Sequence, residues 1–146
     1  MDLKNLYREV ILDHNKHPRN FGTLAPPAQI AQGHNPLCGD QLIVSIHRVG
    51  DTVTDVRFEG SGCAISTASA SLMTEAIKGK RVAEIEELMH RVHALLTTVG
   101  GQSDGLGKLA ALSGVAEYPA RVKCATLAWH TLAQALKGAN TTVVTE

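Results

Sequence analysis

The stretch "QLIVSIHRVGDTVTDVRFE", residues 41–59, contains two runs in which apolar and polar residues alternate, separated by the pair Gly50-Asp51. The apolar positions of the two runs are Leu42, Val44, Ile46, Val56 and Phe58. Alternation with a period of two is typical of a strand with one buried face, and a Gly-Asp pair between two such runs favours a tight turn. The stretch therefore predicts a β-hairpin with one buried and one solvent-exposed face.

Segments with the apolar spacing of amphipathic helices surround this hairpin. They lie at residues 3–11, 65–76, 82–98 and 120–137, with a short helical turn at 109–115 and a short strand around 29–33. A hydrophobic content of 44% over 146 residues is sufficient for one core. We therefore predict a single α+β domain over residues 1–146, in which a small antiparallel β-sheet packs against several α-helices, with a flexible tail from about 138.

The charge balance limits the classes of partner. Fourteen basic and fourteen acidic residues give a formal net charge of +0, and no long run of either sign occurs. Broad electrostatic binding of nucleic acid or of a membrane surface is not expected, so we predict a protein or small-molecule partner. The first residues lack the apolar segment of a signal peptide and no apolar run approaches a membrane span, which favours a cytoplasmic protein.

Three cysteines, an odd number, do not suggest a disulfide framework. Cys38 lies in a Pro/Gly turn before the first hairpin strand, Cys63 follows the second strand in a Gly-X-Gly-Cys turn, and Cys124 starts the last helix. A single cysteine is more often a small buried hydrophobe, but three in such positions favour a metal site. Asp40 is the natural fourth ligand, and zinc and iron both suit this set.

Two histidine pairs have the i, i+3 spacing that can place two imidazoles on one helix face. His14 and His17 form one pair, and His90 and His93 form the other. Neither pair has a cysteine nearby in sequence, and solvated histidines are common on helices and loops. We therefore interpret both pairs as solvated residues rather than metal ligands.

Four ordered segments resemble the IscU/NifU/SufU family of iron–sulfur cluster assembly proteins. They are "ILDHNKHPRN" at residues 11–20, "NPLCGD" at 35–40, "GSGCAISTAS" at 60–69 and "RVKCATLAW" at 121–129. The resemblance implies a SufE/NifU-like α+β fold and a metal site made of Cys38, Asp40, Cys63 and Cys124.

Within that family the sequence is most similar to the SufU branch. IscU-type scaffolds carry a histidine immediately before the third cysteine, whereas this sequence has Lys123; it also has Arg121 and an extra segment at 97–114. Similarity to SufU implies a zinc-dependent sulfurtransferase that accepts sulfur from a pyridoxal-phosphate cysteine desulfurase of the SufS type and serves downstream assembly proteins. We predict Cys38 as the acceptor, because it lies on a turn that can face a partner, and Arg121 as a second functional residue.

Two alternatives stay open at this point. The first is a scaffold that holds a transient [2Fe–2S] cluster on the same four ligands. The second is a structural zinc-binding domain whose role is protein interaction, in which no sulfur would be transferred.

Overall fold

The computed structural model describes residues 3–36, 39–98, 105–138 and 142–144, and a four-stranded sheet lies at its centre. The strands are β1 Gln29–Asn35, β2 Asp40–Val49, β3 Thr52–Ser61 and β4 Thr142–Val144. Their order in space is β3-β2-β1-β4. Strands β1 and β3 each pair antiparallel with β2, so the predicted hairpin and the predicted short strand are confirmed.

Helices follow the predicted order along the chain. They are α1 Leu3–Lys16, α2 Ala64–Ile77, α3 Val82–Thr97, a 3₁₀ helix Gly107–Glu117 and α4 Pro119–Lys137. Gly79, with φ +82, follows the end of α2, and Gly138, with φ +71, ends α4. Both adopt the left-handed conformation that glycine tolerates best at a helix end, and Pro119 opens α4 as the sequence predicts.

The core lies between one face of the sheet and the helices. Val44, Ile46 and Val56 are fully buried on that face, whereas Gln41 and Arg57 point to the other face and are exposed. Helix α4 packs against β1 and β2, α2 packs against β3, and α1 covers α2. Burial of each large aliphatic side chain contributes on the order of 1.5–3 kcal/mol, so this face holds the layers together.

A close approach between β1 and α4 sets the position of the last helix. A Cβ atom added to Gly33 would lie 2.0 Å from Thr131 Oγ1 and 3.0 Å from Leu127 Cδ1. Only glycine permits this spacing between the backbone of β1 and α4. The middle of α4 is thereby held against β1.

The C-terminal tail, which the sequence predicts to be flexible from about 138, contains β4. Thr142–Val144 pair in parallel with Gln32–His34, so the sheet is mixed at this edge. Residues 139–141 and 145–146 lie outside the described part of the chain. None of the helices in the ranges given above is both long and apolar enough to cross a membrane.

Candidate metal centre

Asp40, Cys63 and Cys124 converge at one end of the sheet. One possible ligand atom from each residue lies within 4.8 Å of those of the other two. Asp40 and Cys124 are buried, with 0% and 3% of their surfaces exposed, and Cys63 is half-buried. The structure therefore brings together three of the four predicted ligands.

The strand register places the first two donors side by side. Gln41 pairs with Ser61, so Asp40, which begins β2, lies opposite the residues that lead from β3 into α2. Cys63 is the N-cap of α2, with φ −71 and ψ 166, and its Sγ accepts a hydrogen bond from the backbone N–H of Ser66. The thiol thus lies at the positive end of the helix dipole, which stabilises negative charge on sulfur.

Helix α4 delivers the third donor. The hydroxyl of Ser69 in α2 donates to the backbone carbonyl of Ala125 at 2.7 Å, and Trp129 Nε1 donates to Ser69 Oγ at 3.2 Å. These two buried bonds hold α4 against α2 next to Cys124. The thiol of Cys124 is therefore positioned by packing between helices rather than by the hairpin.

A single backbone group orients the Asp40 carboxylate. Oδ1 accepts a hydrogen bond from the Cys63 N–H at 2.8 Å, and Oδ2 accepts from the Cys63 thiol at 3.8 Å. A Cβ atom added to Gly62 would lie 2.5 Å from Oδ1, so a side chain at this position would displace the carboxylate. Glycine at residue 62 is thus required for the carboxylate to reach both groups.

Two residues at the site carry roles that the sequence analysis did not assign. Asn35 is buried, pairs in register with Asp40, and its Nδ2 donates to Cys124 Sγ at 3.9 Å. Ser66 is buried one turn into α2, and its hydroxyl has no hydrogen-bond partner among the residues that the structure describes. Both lie within motifs quoted above, but sequence alone does not give the direction of their side chains.

The donor set fits a tetrahedral ion. Zn–S bonds of about 2.3 Å and a Zn–O bond of about 2.1 Å separate two sulfurs by about 3.8 Å and a sulfur from an oxygen by about 3.6 Å. The distance between Cys63 Sγ and Asp40 Oδ2 is 3.8 Å, and the three ligand atoms span no more than 4.8 Å. Thiolates with one carboxylate suit zinc or iron better than magnesium or calcium, because sulfur is a soft ligand.

Cys38, the fourth predicted ligand, lies outside the described residues together with Leu37. The residues on either side, Pro36 and Gly39, belong to the connection between β1 and β2. Cys38 is two residues before Asp40, so covalent geometry limits the separation of their α-carbons to about 7 Å. Its role as a ligand and as a sulfur acceptor remains a prediction.

Arg121 lies on the exposed side of the first turn of α4. Its guanidinium stacks 4.4 Å from the ring centroid of Tyr118, and Nη1 donates to the hydroxyl of Tyr7 at 3.4 Å. Within the described ranges, the guanidinium of Arg121 thus contacts two tyrosines rather than Asp40 or Cys63. Its predicted functional role is not tested by this arrangement.

The interpretation of His14 as a solvated residue is wrong. His14 is fully buried, its Nδ1 is 2.7 Å from Ser71 Oγ, and its Nε2 lies 3.4 Å from Glu75 Oε1 without the alignment of a hydrogen bond. Burial, and next the positive charge of Arg19, lower the pKa of His14 below its ordinary value. His14 therefore anchors α1 on α2, whereas His17, His90 and His93 are exposed as expected.

These features define a small α+β protein with a buried Asp–Cys–Cys cluster at the junction of a hairpin and two helices. Residues 6–138 match the profile of the NifU-like N-terminal domain, and the chain belongs to this family. The family and the fold predicted from the sequence are confirmed.

Relatives in the family carry two kinds of name. The chain is 45% identical over 135 residues to the zinc-dependent sulfurtransferase SufU of Bacillus subtilis, covering 90% of this chain and 89% of that protein. It is 40% identical over 139 residues to the iron–sulfur cluster assembly scaffold protein IscU of Streptococcus pyogenes, covering 92% and 85%. A crystal structure from Fervidobacterium islandicum, described as a putative iron–sulfur cluster assembly scaffold protein for the SUF system, superposes with a TM-score of 0.82 at 37% identity, covering 90% and 97%.

Proposed function

We propose that this protein is a zinc-dependent sulfur acceptor in iron–sulfur cluster assembly. In this proposal Cys38, Asp40, Cys63 and Cys124 bind one zinc ion, and Cys38 receives sulfur from a cysteine desulfurase. The observation that carries the proposal is the convergence of Asp40, Cys63 and Cys124 within 4.8 Å, at the end of the sheet where the Cys38 connection begins.

Zinc is favoured over an iron cluster by the residue before the third cysteine. Lys123 stands where IscU-type scaffolds have a histidine, so that neutral ligand is missing from the site. The relative from Bacillus subtilis, named as zinc-dependent, is 45% identical to this chain. Zinc bound to the four residues would hold the cysteines as thiolates and lower the nucleophilicity of each one while it stays bound.

The sulfur step is an exchange at a persulfide. The thiolate of Cys38 attacks the outer sulfur of a persulfide on the desulfurase cysteine; a new S–S bond forms on Cys38, the old S–S bond breaks, and the desulfurase cysteine leaves as a thiolate. No external oxidant or reductant is needed, because one persulfide replaces another. Cys38 belongs to the connection between two strands, where exposure to a partner is common.

The partner is a pyridoxal-phosphate cysteine desulfurase of the SufS type, and downstream cluster-assembly proteins receive the sulfur. Tyr118 is 46% exposed and supports the Arg121 guanidinium at the surface, which offers a cation and an aromatic ring to a partner. We place this chemistry in the cytoplasm, where thiols stay reduced. Arg121→Ala is then expected to weaken stimulation of the desulfurase while zinc stays bound.

Mass spectrometry after incubation with the desulfurase and cysteine tests the acceptor. A reducible additional sulfur is expected on the peptide that contains Cys38, and Cys38→Ser should abolish stimulation of desulfurase turnover while the two proteins still bind. Sulfur on Cys124 alone would move the acceptor role to α4. Sulfur on no cysteine would favour a structural zinc domain.

A second candidate function is a scaffold for a transient [2Fe–2S] cluster, which is supported by the 40% identity to a relative named as a scaffold. The same donor set could hold such a cluster. Metal analysis of the purified protein separates the two: about one zinc per chain and no visible absorption supports the acceptor, whereas iron, sulfide and colour in the visible range support the scaffold.

A further inference from the structure

A cleft of about 320 Å³ lies between α3 and α4. Met89, Val92, Leu96 and Trp129 supply its apolar lining. His90, His93 and His130 line the same cleft, together with Glu86 and Thr126. An apolar cleft with several imidazoles is unlike the Asp–Cys–Cys cluster, and the proposed function uses none of these side chains.

The three histidines share an exposed region formed by two helices. His90 and His93 are one turn apart on α3, and the rings of His93 and His130, on α4, lie 6.3 Å apart between centroids at an angle of 64°. All three residues are exposed at the surface, and the ring of His130 is partly covered by its surroundings. Their ring nitrogens have no hydrogen-bond partner within the ranges that the structure describes, so each nitrogen is open to a ligand.

We propose that His90, His93 and His130 form a second metal site, for a divalent ion of the zinc, nickel and copper class. Imidazole nitrogen is a ligand that these ions prefer, and residues three apart on a helix project from one face. Glu86, one turn before His90, places a carboxylate on the same face as a fourth donor. The site differs in chemistry from the cluster of Asp40, Cys63 and Cys124, because it contains no sulfur.

The movement required of His93 and His130 is small. Two imidazoles bound to one tetrahedral ion at about 2.0–2.1 Å have ring centroids about 5 Å apart, so the His93–His130 distance has to contract by about 1 Å. In the described part of the chain three donors already converge within 4.8 Å only at Asp40, Cys63 and Cys124, so a common ion on the histidines requires their side chains to rotate. Exposed side chains rotate between rotamers in picoseconds to nanoseconds, and the helices need not move.

The electrostatics of the cleft favour the metal-binding form of the ring. Burial, and next the neighbouring His93, lower the pKa of His130 below its ordinary value. A neutral imidazole keeps the lone pair that a metal needs, whereas a protonated ring does not.

A nickel titration tests this site, because Trp129 is the only tryptophan of the sequence and lines the same cleft. Ni²⁺ is added to the full chain and to Cys63→Ser, which weakens the cysteine cluster; bound metal is measured by equilibrium dialysis and Trp129 fluorescence is followed. We expect both proteins to bind one Ni²⁺ equivalent that quenches Trp129. The double variant His93→Ala/His130→Ala should bind this equivalent at least tenfold more weakly.

His17→Ala is the matched control, since His17 is also exposed but does not line the cleft. It should bind nickel and quench Trp129 as the parent does, and circular dichroism should show that all variants keep their helices. Equal nickel binding and quenching in parent and double variant would overturn the proposal, as would the absence of a nickel equivalent that quenches Trp129 in the parent. The proposed sulfur transfer fails or succeeds separately, because its readout is a persulfide on a cysteine.

Discussion

Gly62→Ala is expected to weaken metal binding through one contact, between the new methyl group and Asp40. The added Cβ would lie 2.5 Å from Asp40 Oδ1, and Gly62 is not among the glycines with positive φ, so the backbone itself accepts alanine. A carbon–oxygen contact relaxes to about 3.3 Å or more, so the carboxylate has to retreat by about 0.8 Å. The hydrogen bond from the Cys63 N–H to Oδ1, now 2.8 Å, then lengthens beyond hydrogen-bond distance.

The energetic cost follows from the loss of that bond. A hydrogen bond to a charged group contributes about 1.5–3 kcal/mol, and Asp40 is fully buried, so we expect the metal-free protein to lose stability by that amount. Metal ligands need to be held within about 0.2 Å of their positions, so zinc affinity should also fall at least tenfold. Urea unfolding with and without zinc measures the first quantity, and competition with a chromophoric chelator measures the second.

A double-mutant cycle isolates the proposed contact. If the methyl group acts through the carboxylate, Gly62→Ala should cost much less stability in an Asp40→Ala background than in the parent. Ser61→Ala, at the exposed neighbouring position, is the control and should change neither quantity. If Gly62→Ala lowers the free energy of unfolding equally in both backgrounds, its effect does not depend on the Asp40 carboxylate and the reasoning is wrong.

Three further variants give independent tests of the site and its surroundings. Asp40→Ala should lower zinc affinity, as Gly62→Ala does, yet keep metal on the two sulfurs through dialysis, whereas Cys63→Ser should lose metal. Equal loss of metal from both, measured by metal analysis after dialysis, would contradict separate roles. Ser66→Ala should leave the free energy of unfolding of the metal-free protein, measured in urea, unchanged or slightly higher, because it removes a buried hydroxyl without a described partner. A loss above about 1 kcal/mol would show that this hydroxyl has a partner. The pKa of His14 is lowered in the folded state, so the unfolded chain binds the proton more readily and the free energy of unfolding should fall as pH drops below about 6.5 towards the folded pKa. His14→Gln should flatten this pH dependence, measured by urea unfolding at several pH values. An unchanged dependence would show that His14 is not responsible.

The elements of the fold were predictable because their signals are local. Alternation in residues 41–59 specifies the hairpin, and Gly79, Pro119 and Gly138 mark helix ends by backbone chemistry that does not depend on tertiary contacts. The strand Thr142–Val144 has no such signal. Three residues carry too little pattern to indicate a strand, and the pairing with β1 depends on an edge formed more than a hundred residues earlier in the chain.

The site was predictable where sequence position and strand pairing coincide. Asp40 and Cys63 flank the two ends of one hairpin, so antiparallel pairing brings them together, and the structure does so. Side-chain direction over long separations could not be predicted in the same way. His14 is hydrogen-bonded to Ser71, which lies 57 residues away, and Asn35 reaches Cys124, which lies 89 residues away.

The three donors come from three different elements of the fold, which affects how the site could release a bound metal. Asp40 comes from β2, Cys63 from the start of α2 and Cys124 from α4, so a metal held by all three links separate elements. At a free metal concentration one hundred times its Kd, such binding stabilises the folded state by about 2.7 kcal/mol. The bond from Ser69 to Ala125 holds α2 against α4 without any metal, which keeps both thiols in place. The carboxylate, in contrast, is oriented by the Cys63 N–H, and it can leave a metal by breaking one hard-ligand bond while the helices stay packed. The cluster therefore combines a pair of sulfurs held by packed helices with one oxygen that can exchange while the fold stays intact.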